Sequence, residues 1–269
     1  AMGFSQRCRG AYGDEVEDGS LPLHNSAADL DALAPVAERI AARVAELSTD
    51  PSTGGHSAVV GMAGGVAVGK STAAASLQSV LVDQLGLDCA IVSSDGFLLP
   101  NDTLLERGIF HRKGFPESYD HGAIDGFVAA IRRREFPVTV PLYDHLIHDV
   151  LHESASIGFS PVVLFEGVNT LGFAASFDLS IYIDAAESSM RAWYLDRVLE
   201  LRRRSADEPS AFFAAFAGLS DEEFASRAES IWEAVNLPNL LEHIEPTRAL
   251  ADIIITKAPD HSIESVIFR

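Results

Sequence analysis

The sequence predicts an α/β fold, a mostly parallel central sheet flanked by helices, on three observations. Five short apolar runs, at 58–61, 90–93, 161–165, 179–183 and 252–256, are rich in Val and Ile and lack polar alternation. Strands buried on both faces read this way, and such strands belong to parallel sheets covered by helices. Segments with helical spacing or loop character separate them, and the first run passes into a glycine-rich turn that opens a helix.

The elements follow in chain order. Residues 1–25 are rich in Gly, Asp, Glu and Ser and carry no apolar period, which predicts a loose N-terminal arm. Residues 26–269 are expected to form one domain with helical insertions, since no convincing linker interrupts them. Leu30, Leu33, Ala37, Ile40, Val44 and Leu47 recur at helical spacing, with Ser26 placed to cap the helix. Residues 50–55 read as a loop. Ser220 and Glu223 form a capping box that opens a helix towards Ala234.

Composition narrows the function. A chain of 269 residues, 47% hydrophobic and 22% charged, has the apolar content for a packed core. A formal charge of −19 repels phosphate backbones, so no nucleic-acid partner is expected. No apolar run is long enough for a membrane span. Cys8 and Cys89 form no metal or disulfide pattern, and no secretory signal is visible, so a cytoplasmic setting is expected.

The strongest chemical signal is Gly64-Gly-Val-Ala-Val-Gly-Lys-Ser71, a GxxxxGK[ST] phosphate loop between a strand and a helix. Gly64 and Gly69 let the backbone turn its N–H groups inward, with Gly65, Val66, Ala67 and Val68 between them and Thr72 following in the helix. The helix dipole adds positive potential, Lys70 can reach the terminal phosphates, and Ser71 can bind Mg²⁺. The loop identifies the fold as a P-loop NTPase. The late sequence Thr256-Lys-Ala-Pro-Asp260 misses a guanine-binding motif by one residue, which favours ATP over GTP.

Two acids complete the pattern. Asp95 ends the second predicted strand, where α/β sheets bind ligands, and suits a general base or a Mg²⁺ ligand; a turn cap is the bland alternative. Glu166 follows a buried apolar strand, the place of the acid that holds Mg²⁺ or its water; an exposed strand-end charge is the alternative. Arg132–Arg134 and Arg202–Arg204 read as solvated helix faces.

Longer motifs then resemble a family. Ser94-Asp-Gly-Phe-Leu-Leu-Pro-Asn101, Glu106-Arg-Gly108, Lys113-Gly-Phe-Pro-Glu-Ser-Tyr-Asp120 and Leu142-Tyr-Asp-His-Leu-Ile-His-Asp149 are similar to type I bacterial pantothenate kinases. Phe165-Glu-Gly-Val-Asn169, Trp193-Tyr-Leu-Asp-Arg197, Asn236-Leu-Pro-Asn-Leu240, Pro246-Thr-Arg248 and Thr256-Lys257 with His261 continue the match. The resemblance runs from Val59 to the C-terminus. It implies a kinase-type P-loop fold that transfers the γ-phosphoryl of ATP, with Mg²⁺, to the primary hydroxyl of pantothenate, the first step towards coenzyme A. It implies Lys70 and Ser71 on ATP–Mg²⁺, Asp95 as catalytic base, and Glu166 on the metal side. It places Tyr143, His145, Tyr194, Arg197 and Asn239 around pantothenate, and His261, with Lys257, on the nucleotide. It also implies a homodimer.

The chemistry of these residue types agrees. An Arg can hold the pantothenate carboxylate, and Tyr, His and Asn can bond its polar groups. Tyr194 and Arg197 are three apart and share a helix face; Tyr143 and His145 would project to one side of an extended segment. Without the resemblance, Tyr194 as a core aromatic and Arg197 as a surface ion-pair partner are the plainer readings.

The sequence departs from the family in five places. The arm differs, the 169–178 stretch is short, and His148 replaces a pocket Tyr, so His148 joins the substrate candidates. Ala75 stands in place of an Arg and Leu201 in place of a Phe. These two predict weak inhibition by coenzyme A, unless Lys257 or Arg107 supplies the missing charge. Two other classes stay open: a related kinase for another small hydroxyl compound (nucleoside, sugar or sugar acid), and a non-catalytic nucleotide-binding regulator.

Overall fold

The computed structural model describes residues 26–50, 55–205, 212–216 and 218–269. The N-terminal arm, most of the 50–55 loop and Cys8 lie outside these residues.

The first helix, α1 (Ala27–Thr49), begins where its cap predicts: the Ser26 side chain accepts from the Asp29 backbone N–H. Its apolar stripe of Leu33, Ala37, Ile40 and Leu47 is buried against the sheet. All five predicted strands form: β1 (Ala58–Gly64), β2 (Cys89–Ser93), β5 (Val162–Glu166), β6 (Leu179–Ala185) and β7 (Ile253–Lys257). They pair in parallel in the order β2-β5-β1-β6-β7.

Alternate residues of these strands serve opposite faces. Val60, Met62, Val162 and Leu164 pack with α1 and α2 (Lys70–Ser79), α5 (Glu187–Arg204) and α6 (Asp221–Ile231). Val59, Val163 and Phe165 pack on the other side with α4 (His121–Arg132). That is why the runs read as continuously apolar. The capping box at Ser220–Glu223 is present, and α6 continues into a wider turn at Trp232–Asn236.

Three strands escaped the sequence reading. β3 (Val138–Asp144) and β4 (Asp149–Ile157) form a separate antiparallel hairpin, and β8 (Ile263–Phe268) adds an antiparallel edge to the main sheet. No residue of β8 is buried, though four of its six residues are apolar, and only Ile157 of β4 is, so neither gives the run buried on both faces that marks the other strands.

The arginine clusters meet carboxylates and carbonyls. Arg133 pairs with Glu135 at 2.7 Å and Arg202 with Asp221 at 2.6 Å, whereas Arg132 reaches inward to the Ser176 carbonyl at 2.7 Å. Arg132 also lies 3.6 Å from Asp178, whose buried carboxylate accepts from the Val59 N–H at 2.9 Å. Asp178 therefore anchors the short 169–178 segment to the start of β1. Asp178→Ala leaves that N–H without its charged acceptor and should cost about 1.5–3 kcal/mol. Urea melts at constant m-value check this; a loss under about 0.5 kcal/mol, the size of an ordinary surface change, would contradict it.

Candidate active site

The phosphate loop spans the end of β1 and the start of α2. Gly64 has no room for a side chain: a Cβ would lie 2.5 Å from the Ile183 carbonyl oxygen. Gly69 takes φ 86° and stands at the N-cap of α2, so the helix starts without a side-chain cap and its N–H groups stay open. A Cβ there would fall 2.6 Å from the Lys257 ammonium, which therefore lies directly on the loop. Ala67 is also left-handed, at φ 61°. Val68 is buried, and Val66 and Ala67 pack partly against the core. Thr72 sits in the first turn of α2.

Lys70 is 8% exposed and folds back, its ammonium donating to the Gly65 carbonyl at 2.9 Å. Burial pulls its pKa below the usual lysine value; Glu166 and Asp95 oppose that, and Arg197 reinforces it. Glu166 is 5% exposed, at the end of β5, and accepts from the Ser71 hydroxyl at 3.1 Å. Burial pushes its carboxyl upward, Lys70 holds it down, and Asp95 pushes it up again. An exposed strand-end charge is thus excluded for Glu166. A hydroxyl beside one carboxylate at a phosphate loop fits Mg²⁺, which keeps waters and takes its other ligands from substrate phosphates.

Asp95 lies in the short turn after β2 (Ser94–Phe97), half-buried. It does not cap that turn; Ser93 does, accepting from the Asp95 N–H at 3.3 Å. Its charge acts on Lys70, Glu166, Lys113, Tyr119 and Tyr143 alike, so it stands where the phosphate loop meets the hairpin side.

On the hairpin side, Tyr143 and His145 are neighbours, their rings 5.1 Å apart, but not by strand alternation. β3 ends at Asp144, and His145 belongs to the turn after it. A turn with His148 at φ 56° brings that ring to 6.1 Å from Tyr143 and stacks it on Phe212 at 4.6 Å. Burial lowers the His148 pKa to about 3, so it stays neutral. Tyr194 is a core aromatic, 5.6 Å from Trp232, and burial raises the pKa of its hydroxyl. Arg197, on the same helix, is half-buried and makes no ion pair or hydrogen bond among the described residues. The surface-pair reading of Arg197 is thereby set aside. Asn239 is 3% exposed and donates to the Gly114 carbonyl at 2.8 Å.

Lys113 was missed, although its motif was noticed. Its ammonium donates to Asn101 Oδ1 and the His148 carbonyl, both at 2.6 Å, and lies 5.0 Å from the Tyr143 ring centre. Burial lowers its pKa to about 8, against Asp149 and Asp95. The signal was the motif itself; a lysine in a loop does not reveal where its ammonium ends.

Near Lys257, His261 at φ 69° stacks on Trp193 at 4.2 Å, and the Trp193 indole N–H donates to the Pro259 carbonyl at 3.2 Å. Trp193 was not among the expected site residues. Leu201 is buried in the main core, and Ala75 is half-buried on α2.

No protein-family model matches the chain. It is 38% identical over 240 residues to a pantothenate kinase of Streptomyces coelicolor, covering 83% of this chain and 72% of that one. A pantothenate kinase of Myxococcus xanthus is 37% identical over 273 residues, 95% of this chain and 84% of its own. Among solved structures, a D-glycerate 3-kinase of Cryptococcus neoformans superposes with a TM-score of 0.66 at 15% identity, covering 91% of this chain and all of that one, a likeness of fold. Two relatives this similar over most of their length settle the ancestry of the site: the chain belongs to the pantothenate kinase family.

Proposed function

We propose that this chain phosphorylates the primary hydroxyl of pantothenate with ATP and Mg²⁺, yielding 4'-phosphopantothenate. The observation that supports it best is Arg197. A guanidinium without a carboxylate partner among the described residues, close enough to Lys70 to affect its proton affinity, suits an anionic substrate beside a phosphate loop. Tyr143, His145, His148 and Asn239 offer hydrogen bonds to the amide and hydroxyl groups; Tyr194 backs Arg197 from the core. Asp95 takes the proton of the attacking hydroxyl. Lys70, Lys257 and the loop N–H groups hold phosphates, Ser71 and Glu166 hold Mg²⁺, and the Trp193–His261 stack lies against the base. Phosphoryl transfer needs little beyond such positioning and charge. The enzyme works as a homodimer in this reading, which light scattering checks.

An ATP-coupled assay against pantothenate, glycerate, fructose and uridine tests the proposal. Turnover of pantothenate far above the others is expected; activity on a neutral sugar or nucleoside instead would refute it.

Lys113 carries a separate pH prediction. Its ammonium is retained below about 8 and lost above. With the charged form helping to bind the anionic reactants, kcat/KM falls as pH rises through that value. Lys113→Met should be slower and lack this alkaline limb. A variant that keeps the wild-type limb would remove Lys113 from the site.

A further inference from the structure

We propose that Asn169 is a specificity-determining residue of the acceptor pocket, its side-chain oxygen, together with that of Asn239, accepting hydrogen bonds from donor groups of the substrate. Asn169 is 1% exposed and Asn239 3%. Both donate their Nδ2 to one acceptor, the Gly114 carbonyl, at 2.5 Å and 2.8 Å. A carbonyl can only accept, so each amide's orientation is determined and each Oδ1 must be its free end. Among the described residues, neither Oδ1 atom, both buried, has a hydrogen-bond partner. A buried orphan acceptor is costly, and two sharing one anchor form a built arrangement. Asn101 makes the contrast: its Oδ1 accepts from Lys113 and its Nδ2 donates to the His148 carbonyl, so it is a satisfied strut.

The pair sits at the chemical end of the sheet. Asn169 follows Glu166 just beyond β5, and Gly114 adjoins Lys113. Leu240, next to Asn239, approaches the phosphate loop, 3.4 Å from where a Gly65 Cβ would lie. The inference rests on the pantothenate reading. Besides the hydroxyl that is phosphorylated, pantothenate carries two neutral donors, a secondary hydroxyl and an amide N–H. Two buried acceptors match two donors.

Two pantothenate analogues test this, one with the amide N–H replaced by an ester oxygen, one lacking the secondary hydroxyl. The wild type should disfavour each by about 10–100-fold in kcat/KM, because a buried acceptor is left unpaired. In Asn169→Ala, one of these two ratios should collapse towards unity while ATP affinity is kept. Ratios unchanged from wild type, with all three substrates slowed equally, would mean a structural role or a water on Oδ1 and would overturn the proposal. If Asn169→Ala does not fold, Asn169→Ser, which keeps a polar atom near Gly114, is read the same way. A wild type inactive on pantothenate would instead overturn the functional reading, and this inference with it, before any variant is made.

Discussion

Asp95→Asn is expected to lower turnover by about 10²–10⁴-fold, the usual contribution of a positioned general base, while ATP binding is retained. The amide keeps the shape of the carboxylate but cannot take the hydroxyl proton. Removing that charge also relaxes the field on its neighbours. Asp95 raises the pKa of Lys70 and of Glu166, so the variant shifts both downward. Steady-state kinetics with equilibrium ATP binding separate the effects, and Lys70→Ala is the contrast, since it should damage ATP binding and turnover together. Turnover in Asp95→Asn equal to wild type would remove Asp95 from the mechanism and favour a nucleotide-binding role without phosphoryl transfer.

Arg197→Ala gives the second large effect, confined to pantothenate. Truncating one partner of a desolvated charge pair costs several kcal/mol; Arg197 is only half-buried, so about 2–3 kcal/mol is expected, about 30–150-fold in kcat/KM for pantothenate. ATP affinity should change little. A neutral analogue with the carboxylate replaced by an amide should be slow with wild type and no slower with the variant. An equal loss on acid and amide would mean that Arg197 does not meet the carboxylate.

Much of this protein follows from local pattern. The five parallel strands could be read because burial on both faces makes each a run of Val and Ile, a property of the run alone. The phosphate loop could be read because it closes within eight residues, 64–71, on backbone groups and glycines. The caps at Ser26 and Ser220 were legible for the same reason: each bonds a backbone N–H three residues away. Asp95 and Glu166 were found by their place at strand ends, which α/β topology makes the ligand side.

What tertiary structure decided has longer range. The β3–β4 hairpin announces itself weakly because one strand is mostly solvent-facing, yet its turn, not the strand, sets His145 and His148 beside Tyr143. Lys113 owes its low pKa to burial, which outweighs the opposing charges of Asp149 and Asp95, in a setting completed by Asn101 and the His148 carbonyl that no neighbour in sequence supplies. Tyr194, read as a pocket residue, turns its ring to Trp232, since α6 and the turn after it close over that face of α5. The Asn169–Gly114–Asn239 bridge joins positions 55 and 125 residues apart. Local pattern thus marked the strands, the phosphate loop and the acids at strand ends, each from the residues beside it in sequence, although the Glu166–Ser71 bond spans 95 residues. The surroundings of the proposed acceptor pocket were decided only by folding, because its hydrogen bonds and burial come from segments that chain order keeps apart.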